Sequence, residues 1–177
     1  MIFRNALITF ALFLHHTFMI KGIITGDLVN STNIAAEHWQ TVIDSLNAVV
    51  KDFSQNTSMK FEMYRGNSFQ VVVESAQLSI AIAIALRAKL KASTPDKLDG
   101  WDARVSVGIG EMSYESDNIV TSDGEAFRLS GRAFDNLGKK RLAIVTSCSV
   151  YHSCQIALCP SMFRLHIPDG RYHQGKA

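Results

Sequence analysis

The side chains that could do chemistry in this chain lie at the ends of its apolar runs. Asp27 closes a β-branched stretch that begins at Ile20. A carboxylate at a strand end is a hard oxygen donor suited to a divalent cation. The same carboxylate could instead cap a following helix through its backbone N–H groups. Asn67 lies in Tyr64-Arg65-Gly66-Asn67-Ser68-Phe69-Gln70, between two strand-like runs. Gly66-Asn67 alone suffices for a hairpin turn, because both residues tolerate the positive φ that tight turns need. Arg128 and Arg132 are four residues apart on a predicted helix, where they share one face and can pair as solvated ions with Glu125 or Asp135. Lys139-Lys140-Arg141 could meet phosphates but reads more simply as a solvated connection. Cys148, Cys154 and Cys159 are spaced C-x5-C-x4-C, which matches no zinc pattern, and an odd count closes no disulfide framework. A reducing cytoplasm suits them best. The paired His15-His16 and the tail histidines have no evident metal partner.

These residues are positioned by an alternation of strand and helix patterns. Ile20 to Val29 reads as a buried strand, and Ser31, Thr32 or Asn33 as the cap of the next helix. Trp39, Val42, Ile43, Leu46, Val49, Val50 and Phe53 recur at three and four residues, a helical stripe. Met59, Phe61 and Met63 alternate with Lys60 and Glu62, and Phe69 to Val73 forms the second arm of the hairpin. The spacing predicts a buried helix from Ser75 to Lys91, because its alanine content and length outweigh a strand-like alternation of Ile and Ala. Pro95, Asp99 and Gly100 mark a loop before a strand from Asp102 to Met112. A polar loop from Ser113 to Ser122 precedes a helix from about Asp123 to Leu137, closed by Gly138. Leu142 to Thr146 is a short last strand. The order β-α-β-β-α-β followed by α-β is an α+β pattern. Its core is a ferredoxin-like split βαβ unit, an antiparallel sheet with helices on one face.

A length of 177 residues accommodates one domain with a real core, and 47% hydrophobic with 19% charged residues argues against disorder. A net charge of +2 leaves no strong nucleic-acid footprint. Residues 1–18 carry one early positive charge and an apolar run from Ala6 to Leu14, too short to span a bilayer and followed by no small-x-small cleavage site. They read as an extension, with Met19 as an alternative start; retained as an anchor, they would put the domain at a membrane surface. Residues 19–147 hold all the periodic pattern, and 148–177 read as an irregular tail.

Four segments together resemble the class III adenylate and guanylate cyclases. Gly26-Asp27-Leu28-Val29-Asn30-Ser31 is similar to their first-strand metal motif, and Arg65-Gly66-Asn67-Ser68-Phe69 to their Gly-Asp hairpin. Arg104 to Glu111 resembles the strand that leads to their dimer-facing loop. Gly124 to Arg132 resembles the helix that carries their transition-state Asn and Arg. The wording Ser122-Asp123-Gly124-Glu125-Ala126-Phe127-Arg128-Leu129-Ser130-Gly131-Arg132 is closer still to the bacterial SatD-like proteins, in which a cyclase-like domain precedes a short helix-turn-helix region.

Cyclisation drives the ribose 3′-oxygen onto the α-phosphorus, so two cations must activate the nucleophile and neutralise the phosphates. The resemblance makes Asp27 the metal ligand, places Asn67 where a second carboxylate is expected, and sets Ser31 beside it at the cofactor. It makes Arg132 the transition-state arginine, with Arg128 in the place of the ribose-orienting asparagine. Met63 stands where an adenine-selecting lysine is expected. The implied protein is a degenerate cyclase-like domain, nucleotide-binding or regulatory. Mg²⁺ or Mn²⁺ would be held weakly, and the unit would be a head-to-tail homodimer. An active one-metal phosphotransfer enzyme and a ligand-free interaction module are the alternatives.

Overall fold

The computed structural model describes residues 20–96, 98 and 100–147. The expectations for 1–18, for a start at Met19 and for 148–177 lie outside the described residues. The elements follow as β1 (Ile20–Leu28), α1 (Trp39–Phe53), β2 (Met59–Tyr64), β3 (Ser68–Val73), α2 (Ser79–Ala92), β4 (Ala103–Tyr114), β5 (Asp123–Gly124), α3 (Glu125–Asp135) and β6 (Leu142–Thr146).

β1 is a near-continuous apolar run because it is central. It pairs antiparallel with β3 on one side and with β4 on the other, and Ile23 and Ile24, on opposite faces, are both fully buried. β2 pairs antiparallel with β3 at one edge of the sheet, and β6 runs parallel to β4 at the other. The order β2-β3-β1-β4 is the expected split βαβ core, with β6 added beyond β4. The two-residue β5 meets the far end of β4 across a register shift.

Helices cover both faces of this sheet, because the added helix closes the face that the first two leave open. A Cβ at Gly22 would run into the Ser79 side chain at the start of α2. A Cβ at Gly108 would lie 2.3 Å from the Ala126 carbonyl oxygen and 2.5 Å from the Ser130 nitrogen of α3. Gly22 pairs with Ile109, and Gly108 is the next residue along β4, so α2 and α3 lie on opposite faces. α1 packs against α2 through its buried stripe of Val42, Leu46 and Val49.

Several local expectations are corrected. Ser31–Asn33 form a 3-10 turn, a second one spans Ala36–His38, and α1 starts at Trp39 with no side-chain cap. The hairpin exists, but its left-handed residues are Arg65 (φ 52°) and Gly66 (φ 80°) rather than Gly66 and Asn67. Tyr64 pairs with Ser68, so the loop has three residues and Asn67 leaves it with ordinary backbone. β4 continues two residues beyond Met112, to Tyr114. α3 ends at Asp135 with Asn136 as its C-cap, and Gly138 (φ 55°) belongs to the turn beyond. The polar stretch before α3 is a strap: Ile119 is buried against Ile23, Val72 and Ala126 on the α3 face.

Candidate functional site

Asp27 sits where three strands converge. Its direct partners are Ser68 on β3 and Arg104 on β4, so the three side chains stand on one face. The Ser68 hydroxyl donates to Asp27 Oδ1 at 3.5 Å, and Arg104 Nη2 reaches Oδ2 at 3.4 Å. The Arg104 guanidinium also lies over the Phe134 ring of α3, 5.1 Å from its centroid. Burial pushes the nearby Tyr64 phenol up; Arg65 opposes this and the Asp27 charge adds to it. Asp27 makes no helix cap.

The ends of neighbouring elements are tied to this strand end. Leu28 N–H donates to the Asn67 carbonyl and Val29 N–H to the Asp102 carbonyl, both at 2.9 Å. Asn30 turns the chain with φ 50° into the 3-10 turn that carries Ser31. Asn67 Nδ2 then donates to Ser31 Oγ at 3.3 Å. Asp27, Asn67 and Ser31 are thus brought to one end of the sheet. Beside them lies a hollow of about 270 Å³ lined by residues that include Asn30, His38 and Trp101. The His38 and Trp101 rings stand 5.8 Å apart.

Arg128 and Arg132 are not brought there. α3 is seated on the sheet by Ser130, whose hydroxyl meets Thr25 Oγ1 at 2.9 Å and whose carbonyl accepts from Ser106 Oγ at 2.7 Å. With Ala126 and Ser130 buried, Arg128 and Arg132 project from the far, exposed side of the helix. Arg128 pairs with Asp123 at 2.9 Å, and not with Glu125 or Asp135. Glu125 instead accepts from the Ser147 hydroxyl at 2.7 Å. Arg132 makes no side-chain hydrogen bond or ion pair with the described residues.

This donor set does not fit a two-cation centre. Hard divalent ions need carboxylates free to bridge them. Asp27 supplies one carboxylate and shares it with a guanidinium, while Asn67 supplies a neutral amide directed at Ser31. Among the described residues, no three His, Cys, Asp or Glu side chains converge as metal ligands.

Sequence reasoning missed Arg104, and it missed a charge cluster around a buried lysine on the same face. Lys21, only 2% exposed, is held 2.6 Å from both Glu74 and Glu115. Glu115 also pairs with Lys60 at 3.0 Å, and Lys60 donates to the Ser116 carbonyl at 2.9 Å. The signal was present: a lysine inside a doubly buried strand must be paired. At the strand-end side of β4, Asp102 binds Arg87 through two hydrogen bonds of 2.9 Å. Burial raises the Asp102 carboxyl, but Arg87, the Ala103 N–H and Lys91 outweigh that and hold it below the usual carboxylate range.

No protein-family model matches the chain, and no curated protein matches it. Solved structures do. The monomeric guanylyl cyclase domain of the RhoGC fusion protein from the aquatic fungus Blastocladiella emersonii is similar over 67% of this chain and 75% of its own, with a TM-score of 0.52 and 10% identity. The GGEEF domain of a diguanylate cyclase from Vibrio cholerae is similar over 78% of this chain and 89% of its own, with a TM-score of 0.53 and 14% identity. A bacterial light-regulated adenylyl cyclase is similar over 78% and 80%, with a TM-score of 0.51 and 11% identity. The fold is cyclase-like. At these identities the likeness is one of fold, and the chemistry has to be read from the side chains just described. Among the described residues, no helix is long and apolar enough to cross a membrane.

Proposed function

We propose that this chain carries a degenerate nucleotide-cyclase-like domain, related to the SatD-like proteins, that binds a nucleotide or acts in regulation without cyclising it. The observation that carries this reading is the state of the strand end. The cyclase-like fold brings Asp27 and the hairpin tip to one end of the sheet, yet the Asp27 carboxylate faces Arg104 and the hairpin offers the amide of Asn67. One Mg²⁺ or Mn²⁺ ion could be held there only weakly.

Self-association belongs to the same reading. Arg128 and Arg132 stand on an outward face and cannot join Asp27 within one chain, so a shared site needs a second copy. That contact would use the outer face of α3, because Ala103 and Val105 to Gly110 of β4 are already buried inside the chain. A concentration-independent monomer mass in sedimentation would remove it.

The deciding experiment incubates the protein with ATP or GTP and Mg²⁺ or Mn²⁺, measuring cyclic product and, by calorimetry, nucleotide binding. Binding without cyclic AMP or cyclic GMP is expected. Product at an enzymatic rate would overturn the degenerate reading, and absence of any nucleotide binding would leave an interaction module.

A further inference from the structure

We infer that Arg104 is a built-in cation that takes the place of the divalent ion at Asp27, so that the site meets the phosphates of a nucleoside triphosphate with a guanidinium and without metal. The inference rests on the nucleotide-binding reading and assigns its charge chemistry.

Three observations support it. Arg104 is the direct cross-strand partner of Asp27, so the backbone register itself sets the two side chains on one face. Its Nη2 lies 3.4 Å from Asp27 Oδ2, close to where a cation bound to that carboxylate would compete for the same oxygen. The guanidinium is also held from behind, over the Phe134 ring at 5.1 Å, which fixes it at the strand end instead of leaving it to sweep through solvent. A guanidinium carries five N–H donors. One Asp27 contact leaves most of these donors open, and the side chain remains 34% exposed. Donors fixed in this way suit phosphate oxygens, which accept from a guanidinium in paired geometry. Asn67 completes the picture: a second carboxylate there would draw a metal, whereas an amide leaves the guanidinium as the dominant charge.

The test uses the full chain and two probes, Mn²⁺ alone and GTP or ATP in EDTA. Arg104→Gln keeps length and polarity while removing the charge, and a thermal melt checks its fold. Mn²⁺ affinity by calorimetry or electron paramagnetic resonance is expected to rise at least tenfold in Arg104→Gln. The rise should vanish in the Asp27→Asn/Arg104→Gln double variant. Triphosphate binding by the unmodified protein is expected to persist in EDTA and to weaken at least tenfold in Arg104→Gln. Mn²⁺ affinity unchanged by Arg104→Gln, or triphosphate binding abolished by EDTA, overturns the inference. If no triphosphate binds under any condition, the nucleotide-binding reading and the phosphate role fall together. The Mn²⁺ arm then still decides whether Arg104 displaces a metal. Should Arg104→Gln fail to fold, Phe134→Leu frees the guanidinium instead, and a smaller rise in Mn²⁺ affinity is expected; no rise counts against the inference.

Discussion

Replacing Glu115 by glutamine should loosen the strap on the sheet, and the structure sets the size of the effect. The Glu115 carboxylate lies 2.6 Å from Lys21 Nζ and 3.0 Å from Lys60 Nζ, and Lys21 is 2% exposed. At such distances a unit charge pair is worth about 6 kcal/mol before desolvation, with an effective dielectric near 20. Desolvation offsets most of that, and a charged hydrogen bond nets roughly 1.5–3 kcal/mol. Lys21 keeps Glu74 at 2.6 Å and is not orphaned, while Lys60 is 38% exposed and adds little. The expected loss is therefore about 2 kcal/mol, or roughly 4–8 °C in Tm for a domain of this size. The pH dependence supplies a second readout. The Lys21 hydrogen bond and then that of Lys60 hold the Glu115 carboxyl below its usual range, with burial opposing. A depressed carboxyl stabilises fully above its unfolded pKa of about 4.3, and the contribution is lost as pH falls through the folded value. Burial lowers the Lys21 ammonium, but Glu115 and Glu74 more than restore it and leave it raised. Its contribution is complete below an unfolded value of about 10.4 and fades only as pH rises past that, outside the acid window. Urea and thermal unfolding of Glu115→Gln between pH 3 and 7 should therefore show lower stability at pH 7 and a flatter acid decline. A variant within about 0.5 kcal/mol of the parent at pH 7, with an unchanged acid slope, would show that the strap is not held by this charge.

Two further expectations follow from close geometry. Asn67→Asp sets a carboxylate beside Ser31 and should make nucleotide binding several-fold tighter with Mn²⁺ than in EDTA by calorimetry; if neither it nor Asp27→Asn alters binding, no cation site exists at this strand end. Gly108→Ala would push a methyl group to 2.3 Å from the Ala126 carbonyl oxygen, prying α3 from β4, and should cost about 1–3 kcal/mol in urea unfolding, with a neutral result contradicting the close approach.

The fold was legible because its signals are local and repeated. The stripe from Trp39 to Phe53 became α1, and the alternation from Met59 to Met63 with the run from Phe69 to Val73 became the β2–β3 hairpin. Even the ambiguous Ile and Ala alternation after Ser75 resolved as helix, as its length and alanine content require. The failures lie where tertiary contact overrides local chemistry. Ser31, Thr32 and Asn33 are good caps in isolation, but the chain spends them on a 3-10 turn that returns Ser31 to Asn67. The stretch from Ser113 to Ser122 is polar by composition, yet it lies over the sheet through buried Ile119, the Glu115 carboxylate on Lys21, the Ile119 N–H on Glu62 and Lys60 on the Ser116 carbonyl.

Where Asp27, Asn67 and Ser31 lie was legible in the sequence; which charges surround them was not. The resemblance to the cyclases pointed to Asp27, Asn67 and Ser31, and the structure brings the three to one end of the sheet. Which groups neutralise them depends on register, and register is not written at any single position. Shifting β4 by one residue against β1 would turn Arg104 to the opposite face and leave Asp27 open to a metal. The pairing that sets Asp27 against Arg104 runs through the whole β1–β4 ladder, in which Gly22 fits under Ser79 five residues from Asp27 and Gly108 fits under α3 four residues from Arg104. A one-residue difference in strand register therefore decides whether the Asp27 carboxylate faces the Arg104 guanidinium or open space.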